Sequence, residues 1–299
     1  MLQGKRFVVT GATGRLGCAL VARLEELSAE VVPLVLLGYP AAPKRTRWVA
    51  DASPIVISSR DELSKFGAVD HVIHLHWLVD RRRTPAGQLV FETDMNINQL
   101  GYFWDWVKTS PPRHFSNISS IRVFGPKNSE TITRNTEPRP STPYGIAKVA
   151  AEHFVDISVS GSETKVCHLR LPSTTSVGEH PNQLMTQLHA SATWGKEITV
   201  NIGHRTHLMY IDDMVDCLVQ ASIVEIEGRY NLVPPGIDNR EIAARFEGVS
   251  HKRLNANYLN ITPGVDDLVY SSDLAMLDAP WMRHTSLEEI IAHFQTDAT

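Results

Sequence analysis

Only three cysteines, Cys18, Cys167 and Cys217, stand in a chain of 299 residues. They are far apart and odd in number, which builds neither a disulfide framework nor a zinc-ligand cluster, so no metal is expected and a reducing, cytoplasmic setting is. Positive charge is not in excess. The 29 Lys and Arg against 33 Asp and Glu give a formal net charge of -4, leaving no basic footprint for nucleic acid or an anionic membrane. Long apolar runs are missing too: nothing approaches the roughly 20 residues of a membrane helix, and the stretch 31–37 is interrupted by Pro33. The chain reads Met-Leu-Gln-Gly-Lys-Arg and then enters a strand pattern, so no secretory leader is expected. With 42% hydrophobic residues, it can bury a sizeable core as a globular protein whose expected partner is a small molecule.

Hydrophobic spacing supplies the order of elements. Residues 6–10 form a short β-branched apolar run that ends in glycine, and Leu16, Leu20, Leu24 and Leu27 then recur at helical spacing. Further strands are predicted at 31–37, 55–58, 69–75, 114–119 and 165–171. Between them the pattern predicts a short helix at 61–66, a long one at 88–108 and another at 143–158, opened by Pro143. This alternation implies an α/β fold, a doubly wound Rossmann-type parallel sheet. After Pro172 the alternation breaks into a Ser/Thr-rich stretch, a helix at 182–194 and short strands near Ile198 and Leu208. A helix at 212–225, a strand at 228–233 and a terminal helix at 286–294 follow, the last with Ser286 and Glu289 spaced as a capping box. Residues 1–172, with 206–233 returning to them, are expected to form the nucleotide-binding domain. Residues 173–205 and 234–299 are expected to form a smaller C-terminal α/β substrate domain.

The first strand and helix are joined by Thr10-Gly11-Ala12-Thr13-Gly14-Arg15-Leu16-Gly17. In that position Gly11 permits a tight turn, Gly14 lets a diphosphate approach the backbone, and Gly17 allows the helix to pack closely on the strand. The helix N-terminus beyond it offers unpaired N–H groups to a phosphate. The acidic residue that usually holds the adenine ribose near the end of the second strand is absent, its place taken by Gly38-Tyr39-Pro40. Arg15, Lys44, Arg45 and Arg47 lie nearby in sequence, which favours NADP slightly over NAD, although a solvated basic loop has the same composition.

Pro143-Tyr144-Gly145-Ile146-Ala147-Lys148 places a phenol and an amine four residues apart at a helix start, on one face. A phenol is a poor base at neutral pH, and a neighbouring ammonium and an oxidised nicotinamide are both expected to favour phenolate. Tyr144 then becomes usable as an acid or base. By itself Tyr-x-x-x-Lys describes many ordinary helix surfaces; behind a glycine loop and several βα units it gains meaning.

Together these features resemble the extended short-chain dehydrogenase/reductase family, also called the NAD-dependent epimerase/dehydratase family. The resemblance spans nearly the whole chain. It includes residues 70–75 on the fourth strand, Asn98 three residues before Gly101, Ser119-Ser120-Ile121-Arg122-Val123-Phe124-Gly125, the Tyr144/Lys148 pair with Glu152, Tyr210-Ile211-Asp212-Asp213, and the final helix. It implies that Ser120 bonds the reacting oxygen, that Tyr144 gives or takes its proton, and that Lys148 binds the nicotinamide ribose and tunes the tyrosine. Hydride would move between the nicotinamide and a substrate carbon. Thr13, Arg15, Leu16, Leu75, His76 and Pro172 join Gly11, Gly14 and Gly17 as implied cofactor contacts. A homodimer through the helices containing Trp104 and Glu152 is implied as well.

Departures narrow the substrate. Dehydrating members carry an acidic pair after the motif serine, where this chain has Ile121 and Arg122, so ketone reduction, alcohol oxidation or epimerisation is expected instead of water elimination. Arg170 is followed by Leu171-Pro172-Ser173-Thr174 in place of the family's Arg-x-x-Asn, and Arg205 stands one position early for a diphosphate clamp. Trp77, Ser120, Arg122, Thr174 and Arg205 are the candidate substrate contacts. His76 and Trp77 follow the fourth strand where small residues are usual near the cofactor, so a reshaped pocket is expected. The expected activity is that of an NAD(P)-dependent oxidoreductase acting on a sugar nucleotide or related polyhydroxylated compound. An epimerase using held NAD and a dinucleotide-binding protein without turnover are the alternatives.

Overall fold

The computed structural model describes residues 2–36, 55–125, 131–260 and 268–296. The chain runs through β1 (Arg6–Thr10), α1 (Arg15–Glu26), β2 (Glu30–Leu36), β3 (Ile55–Ile57), α2 (Arg60–Ser64), β4 (His71–His74), α3 (Pro85–Asn96), α4 (Gly101–Thr109), β5 (His114–Ser120), α5 (Pro143–Ser158) and β6 (Lys165–Leu171). It continues through β7 (Thr174–Thr175), α6 (Leu184–Trp194), β8 (Ile198–Ile202), β9 (Arg205–Thr206), β10 (Met209–Tyr210), α7 (Ile211–Ile223), β11 (Gly228–Asn231), β12 (Ile237–Asp238), α8 (Asn239–Ser250), β13 (Ala256–Asn260) and α9 (Leu287–Thr296).

Seven strands form one sheet in the order β11-β6-β5-β4-β1-β2-β3, with every pairing parallel, so the chain is an α/β protein with the expected doubly wound sheet. Parallel strands need crossovers, and the covering helices bury both sheet faces. Hence Val8 and Val9 in β1 and Val72 and Ile73 in β4 are buried on both sides of the pleat. The chain leaves β1 toward β2 and β3 and then returns to β4 on the other flank. That reversal opens a crevice beyond the carboxyl ends of β1 and β4.

Contacts divide the chain into two units. The first comprises Met1–Gly125, Arg134–Leu171 and Val215–Asn231; the second comprises Pro126–Thr133, Pro172–Met214 and Leu232–Thr299. In the first, Leu34, Leu36, Leu100, Phe103, Trp104, Trp106 and Phe115 pack as one apolar cluster. Trp104 and Trp106 are 5% and 1% exposed, which makes them core residues of their own chain. The second unit has its own cluster, with Leu188, Val200, Ile242, Phe246, Ile291 and Phe294. There α9 carries the expected capping box: Glu289 N donates to Ser286 Oγ (3.3 Å) and Ser286 N to Glu289 Oε2 (2.7 Å).

Three differences from the sequence reading have local causes. The long helix predicted at 88–108 breaks at Ile97 (φ -125°, ψ -66°), and a single 3₁₀ turn at Asn98–Leu100 separates α3 from α4. The Asn96 side chain is turned at that point into the backbone of Leu78, accepting from its N–H (2.6 Å) and donating to its carbonyl (2.9 Å). Of the segment 206–233, only β11 joins the main sheet, because β9 pairs with β12 and β10 with β7. Finally, α8 was not anticipated, although Ile242, Ala243 and Phe246 make a buried helical stripe behind the N-cap Asp238. No helix among the described residues is long and apolar enough to cross a membrane.

Candidate active site

The glycine loop lies at the switch point of the sheet. Gly11 has a left-handed φ of 68°, and a Cβ there would lie 2.9 Å from the His76 nitrogen, so the loop can touch the segment after β4 only because this residue has no side chain. A Cβ at Gly17 would collide with the Gly11 carbonyl, which explains the close seating of α1. Gly14 is the N-cap of α1 and provides no side-chain cap, and the first turn contains no acidic residue. An anion is the chemically suited occupant of such a helix start. Thr13, Arg15 and Leu16 are half-buried around it. Gly38-Tyr39-Pro40, Lys44, Arg45 and Arg47, on which the NADP preference rested, lie outside the described residues.

Thr10, at the end of β1, ties the two sides of the crevice together. Its hydroxyl accepts from the His76 N–H (3.2 Å) and shares a hydrogen bond with His74 Nδ1 (2.9 Å). Leu75 is half-buried and His76 is buried beside the loop, with His76 Nε2 unpartnered among the described residues. Burial, and then the Lys148 charge, pushes the His76 imidazole down to about 4.

Ser120 ends β5, and Tyr144 and Lys148 occupy the first turns of α5. Pro143 presets that helix start, and Thr142 caps it by accepting from Gly145 N (3.1 Å). The Ser120 side chain faces Tyr144, and the backbone N–H of Arg122 donates to Ser120 Oγ (3.2 Å). Lys148 is 6% exposed; its Nζ donates to the Ile118 carbonyl (2.8 Å). Ser120, Tyr144, Lys148 and Arg122 are thus brought together within the first unit.

Their charge states depart from the expectation that the lysine makes the phenol acidic. Burial pushes Tyr144 up to about 12; the neighbouring Ser120 hydroxyl opposes this, the Glu92 charge reinforces it, and Arg81 and Arg122 oppose it more weakly. Lys148 is itself pushed down to about 7 by burial, with Glu92 and Glu152 pulling it back up. Its Nζ stands 5.8 Å from the Tyr144 ring centre and 3.7 Å from the centre of the Trp77 ring. The ammonium faces an indole, and desolvation decides the state of the phenol.

Two participants were not read from the sequence in these roles. Trp77, expected as a substrate contact that reshapes the pocket, also covers Lys148, meets Tyr144 edge to face at 6.0 Å and donates its Nε1–H to Glu92 Oε2 (3.1 Å). Glu92 on α3 is 0% exposed and also accepts from Gln88 Nε2 (2.6 Å). The available signal was the polar stripe Gln88, Glu92 and Asn96 at i, i+4 and i+8 on one helix face. Asn98, the residue matched by resemblance, is exposed, whereas Asn96 is buried. Of the remaining candidates, Pro172, Thr174 and Arg205 belong to the second unit. There Thr174 Oγ1 donates to Met214 Sδ (3.1 Å), and Arg205 is exposed on β9, paired in register with Asp238.

A doubly wound sheet with a glycine loop at its switch point, and Ser, Tyr and Lys beside it, defines a Rossmann-type enzyme that works with a nicotinamide dinucleotide. The chain belongs to the NAD dependent epimerase/dehydratase family, whose sequence model matches residues 7–232. It is 24% identical over 260 residues to an uncharacterized epimerase/dehydratase of Staphylococcus haemolyticus, covering 81% of this chain and 80% of that one. Among solved structures, it is similar to the UDP-glucose 4-epimerase of Thermotoga maritima with UDP-glucose, at TM-score 0.80 and 16% identity over 97% of this chain and 99% of that one. It is similar also to the UDP-glucuronic acid 4-epimerase of Bacillus cereus in complex with UDP-glucuronic acid and NAD, at TM-score 0.78 and 19% identity over 97% and 99% of the two chains. At these identities the structural likeness speaks to the fold.

Proposed function

We propose that the protein is an oxidoreductase that interconverts a hydroxyl and a ketone on a sugar nucleotide or related polyhydroxylated compound, with Tyr144 exchanging the hydroxyl proton. The observation that carries this reading is the meeting of Ser120, at the end of β5, with Tyr144 and Lys148 on the first turns of α5, where Lys148 Nζ stands 5.8 Å from the Tyr144 ring centre. In such a site Ser120 orients the substrate oxygen and donates to it as negative charge develops. Tyr144, held neutral by burial, is matched to giving a proton to that oxygen. Lys148 and Arg122 supply the positive charge that limits the cost of the phenolate left behind.

The loop with Gly11, Gly14 and Gly17 fits a dinucleotide: it is stripped of side chains where it touches residues 75–76 and ends at an uncapped helix start. The diphosphate would be held there, flanked by Thr13, Arg15 and Leu16. Leu75, His76, Tyr144, Lys148 and Pro172 would hold the nicotinamide half. When bound, the dinucleotide supplies reversible two-electron oxidation of the carbon bearing the hydroxyl. NAD is the form we favour, because it is the cofactor in the family's description and is bound by the B. cereus epimerase. Elimination of water is disfavoured because Ile121, buried at 3%, and Arg122 provide no acid after Ser120. Trp77, Arg122, Thr174 and Arg205 are the proposed substrate contacts.

Epimerisation through a transient ketone is the second reading, favoured by the name of the S. haemolyticus relative. Thermal unfolding with NAD, NADPH, UDP-glucose and UDP-glucuronic acid tests the binding part, since a ligand at a hundred times its Kd stabilises by about 2.7 kcal/mol. NAD is expected to raise the midpoint, and no shift with either dinucleotide overturns the reading. Stoichiometric change of the dinucleotide with substrate marks oxidoreduction; product formed without it marks epimerisation.

A further inference from the structure

A fully buried carboxylate with only neutral donors on it calls for a counter-charge. Glu92 accepts from Trp77 Nε1 and Gln88 Nε2, and among the described residues no Lys, Arg or His lies within ion-pair distance of it. A cation does stand on the ring that Glu92 holds: Lys148 Nζ is 3.7 Å from the centre of the Trp77 indole. An indole whose N–H is bonded to an anion is polarised toward its ring face, which strengthens its attraction for an ammonium. Glu92, Trp77 and Lys148 therefore form a chain of carboxylate, aromatic ring and amine.

We infer that Glu92, acting through the indole of Trp77, is the positioning residue that keeps Lys148 an ammonium at the mouth of the proposed site. This rests on the reading that Lys148 serves Tyr144 and a dinucleotide. Groups from four elements face Lys148. The segment from β4 brings neutral His74 and His76 with Trp77; α3 brings Glu92; β5 brings the Ile118 carbonyl; α5 brings Tyr144 and Glu152. Glu152 is already engaged by Arg170 and Arg229, while Glu92 has no such partner and is the stronger of the two charges that raise Lys148. Burial leaves Lys148 near neutrality, so loss of one opposing charge moves its titration across the working pH range.

The test is the titration of the Lys148 Cε resonance in protein carrying ¹³C-labelled lysine, assigned with Lys148→Arg and read without cofactor. Glu92→Gln is expected to lower the Lys148 pKa by about one unit, a tenfold change in its protonation equilibrium. Glu92→Asp, which keeps the charge, is expected to retain most of the original value. An unchanged titration in Glu92→Gln, or equal shifts in the Gln and Asp variants, overturns the proposal. Should Glu92→Gln not fold, Trp77→Phe reads the same chain by removing the Nε1 donor; a Lys148 pKa equal to that of the parent then overturns it. Because the titration needs no dinucleotide, failure of the parent protein to bind NAD or NADPH sinks the functional reading separately.

Discussion

Acid should destabilise this protein well before its carboxylates titrate, and His71 is the place to demonstrate it. The His71 ring is 2% exposed, stacked on Phe7 at 4.5 Å and met edge-on by His114 at 5.9 Å. Its Nδ1 is buried without a hydrogen-bond partner among the described residues. Burial first, and the neighbouring His114 second, pushes its pKa from 6.5 down to about 4. Above about pH 6.5 the imidazole is neutral in both folded and unfolded chains and pH has no effect through it. Between about 6.5 and 4 the unfolded chain binds a proton that the folded one refuses, so stability falls as pH falls, by about 1.4 kcal/mol per unit. At about pH 5 His71 alone removes about 2 kcal/mol, and His76, 6% exposed and also pushed down to about 4, removes a similar amount. Against a typical total of about 5–15 kcal/mol that is a large share. His71→Phe keeps an aromatic ring on Phe7 and removes the titrating nitrogens. Urea unfolding between about pH 7 and pH 5 should show the variant gaining about 2 kcal/mol on the parent as pH falls. If the two stability profiles run parallel over that interval, the histidine is not excluding a proton and the reasoning fails.

Tyr144→Phe is expected to keep dinucleotide affinity, measured by calorimetry, while turnover falls by at least about a hundredfold; undiminished turnover removes Tyr144 from the mechanism. Glu152→Gln leaves the fully buried Arg170 guanidinium without its counter-charge and should cost about 3–5 kcal/mol in urea unfolding. A homodimer is expected through the outward faces of α3 and α5, where Val90 and Ile157 are 69% and 71% exposed. Ile157→Glu should convert it to monomer in light scattering, and an unchanged mass rules this face out.

What could be read from the sequence depended on how local each determinant is. The turn from β1 into α1 was legible because glycine spacing and a Leu16, Leu20, Leu24 stripe lie within one stretch of chain, and both are steric requirements. The same holds for α5, whose Pro143 start and Tyr144/Lys148 spacing are properties of one helix. The charge states were not legible. They depend on Trp77, brought from beyond β4, and on Glu92 from α3, so a pair expected to share an ionised phenol is held as a neutral phenol beside a lysine near its midpoint. The break at Ile97 was hidden for a similar reason: it coincides with the bonds between Asn96 and the backbone of Leu78, 18 residues away. Arg170 was read against a substrate motif, whereas it is wholly buried on Glu152.

That last pairing bears on how a strand end and a helix start hold their positions. Ser120 and Lys148 come from separate elements, and neither fixes the other directly. One residue before Ser120, the Ser119 hydroxyl donates to Glu152 Oε1 (2.5 Å), and Glu152 lies one turn beyond Lys148. Arg170 on β6 closes on the same carboxylate with two bonds (3.0 and 2.8 Å), and Arg229 on β11 reaches from Glu152 to Asp156 one turn further along. His168 completes the connection: Asn117 donates to its Nδ1 (3.0 Å), which leaves its Nε2–H to donate to Asp156 (2.8 Å). Three neighbouring strands are therefore bonded to successive turns of α5. A slip of the helix along the sheet would strand a buried carboxylate and a buried guanidinium together, a penalty of several kcal/mol for each ion. The register of Tyr144 and Lys148 against Ser120 is consequently set by charges that lie behind the site.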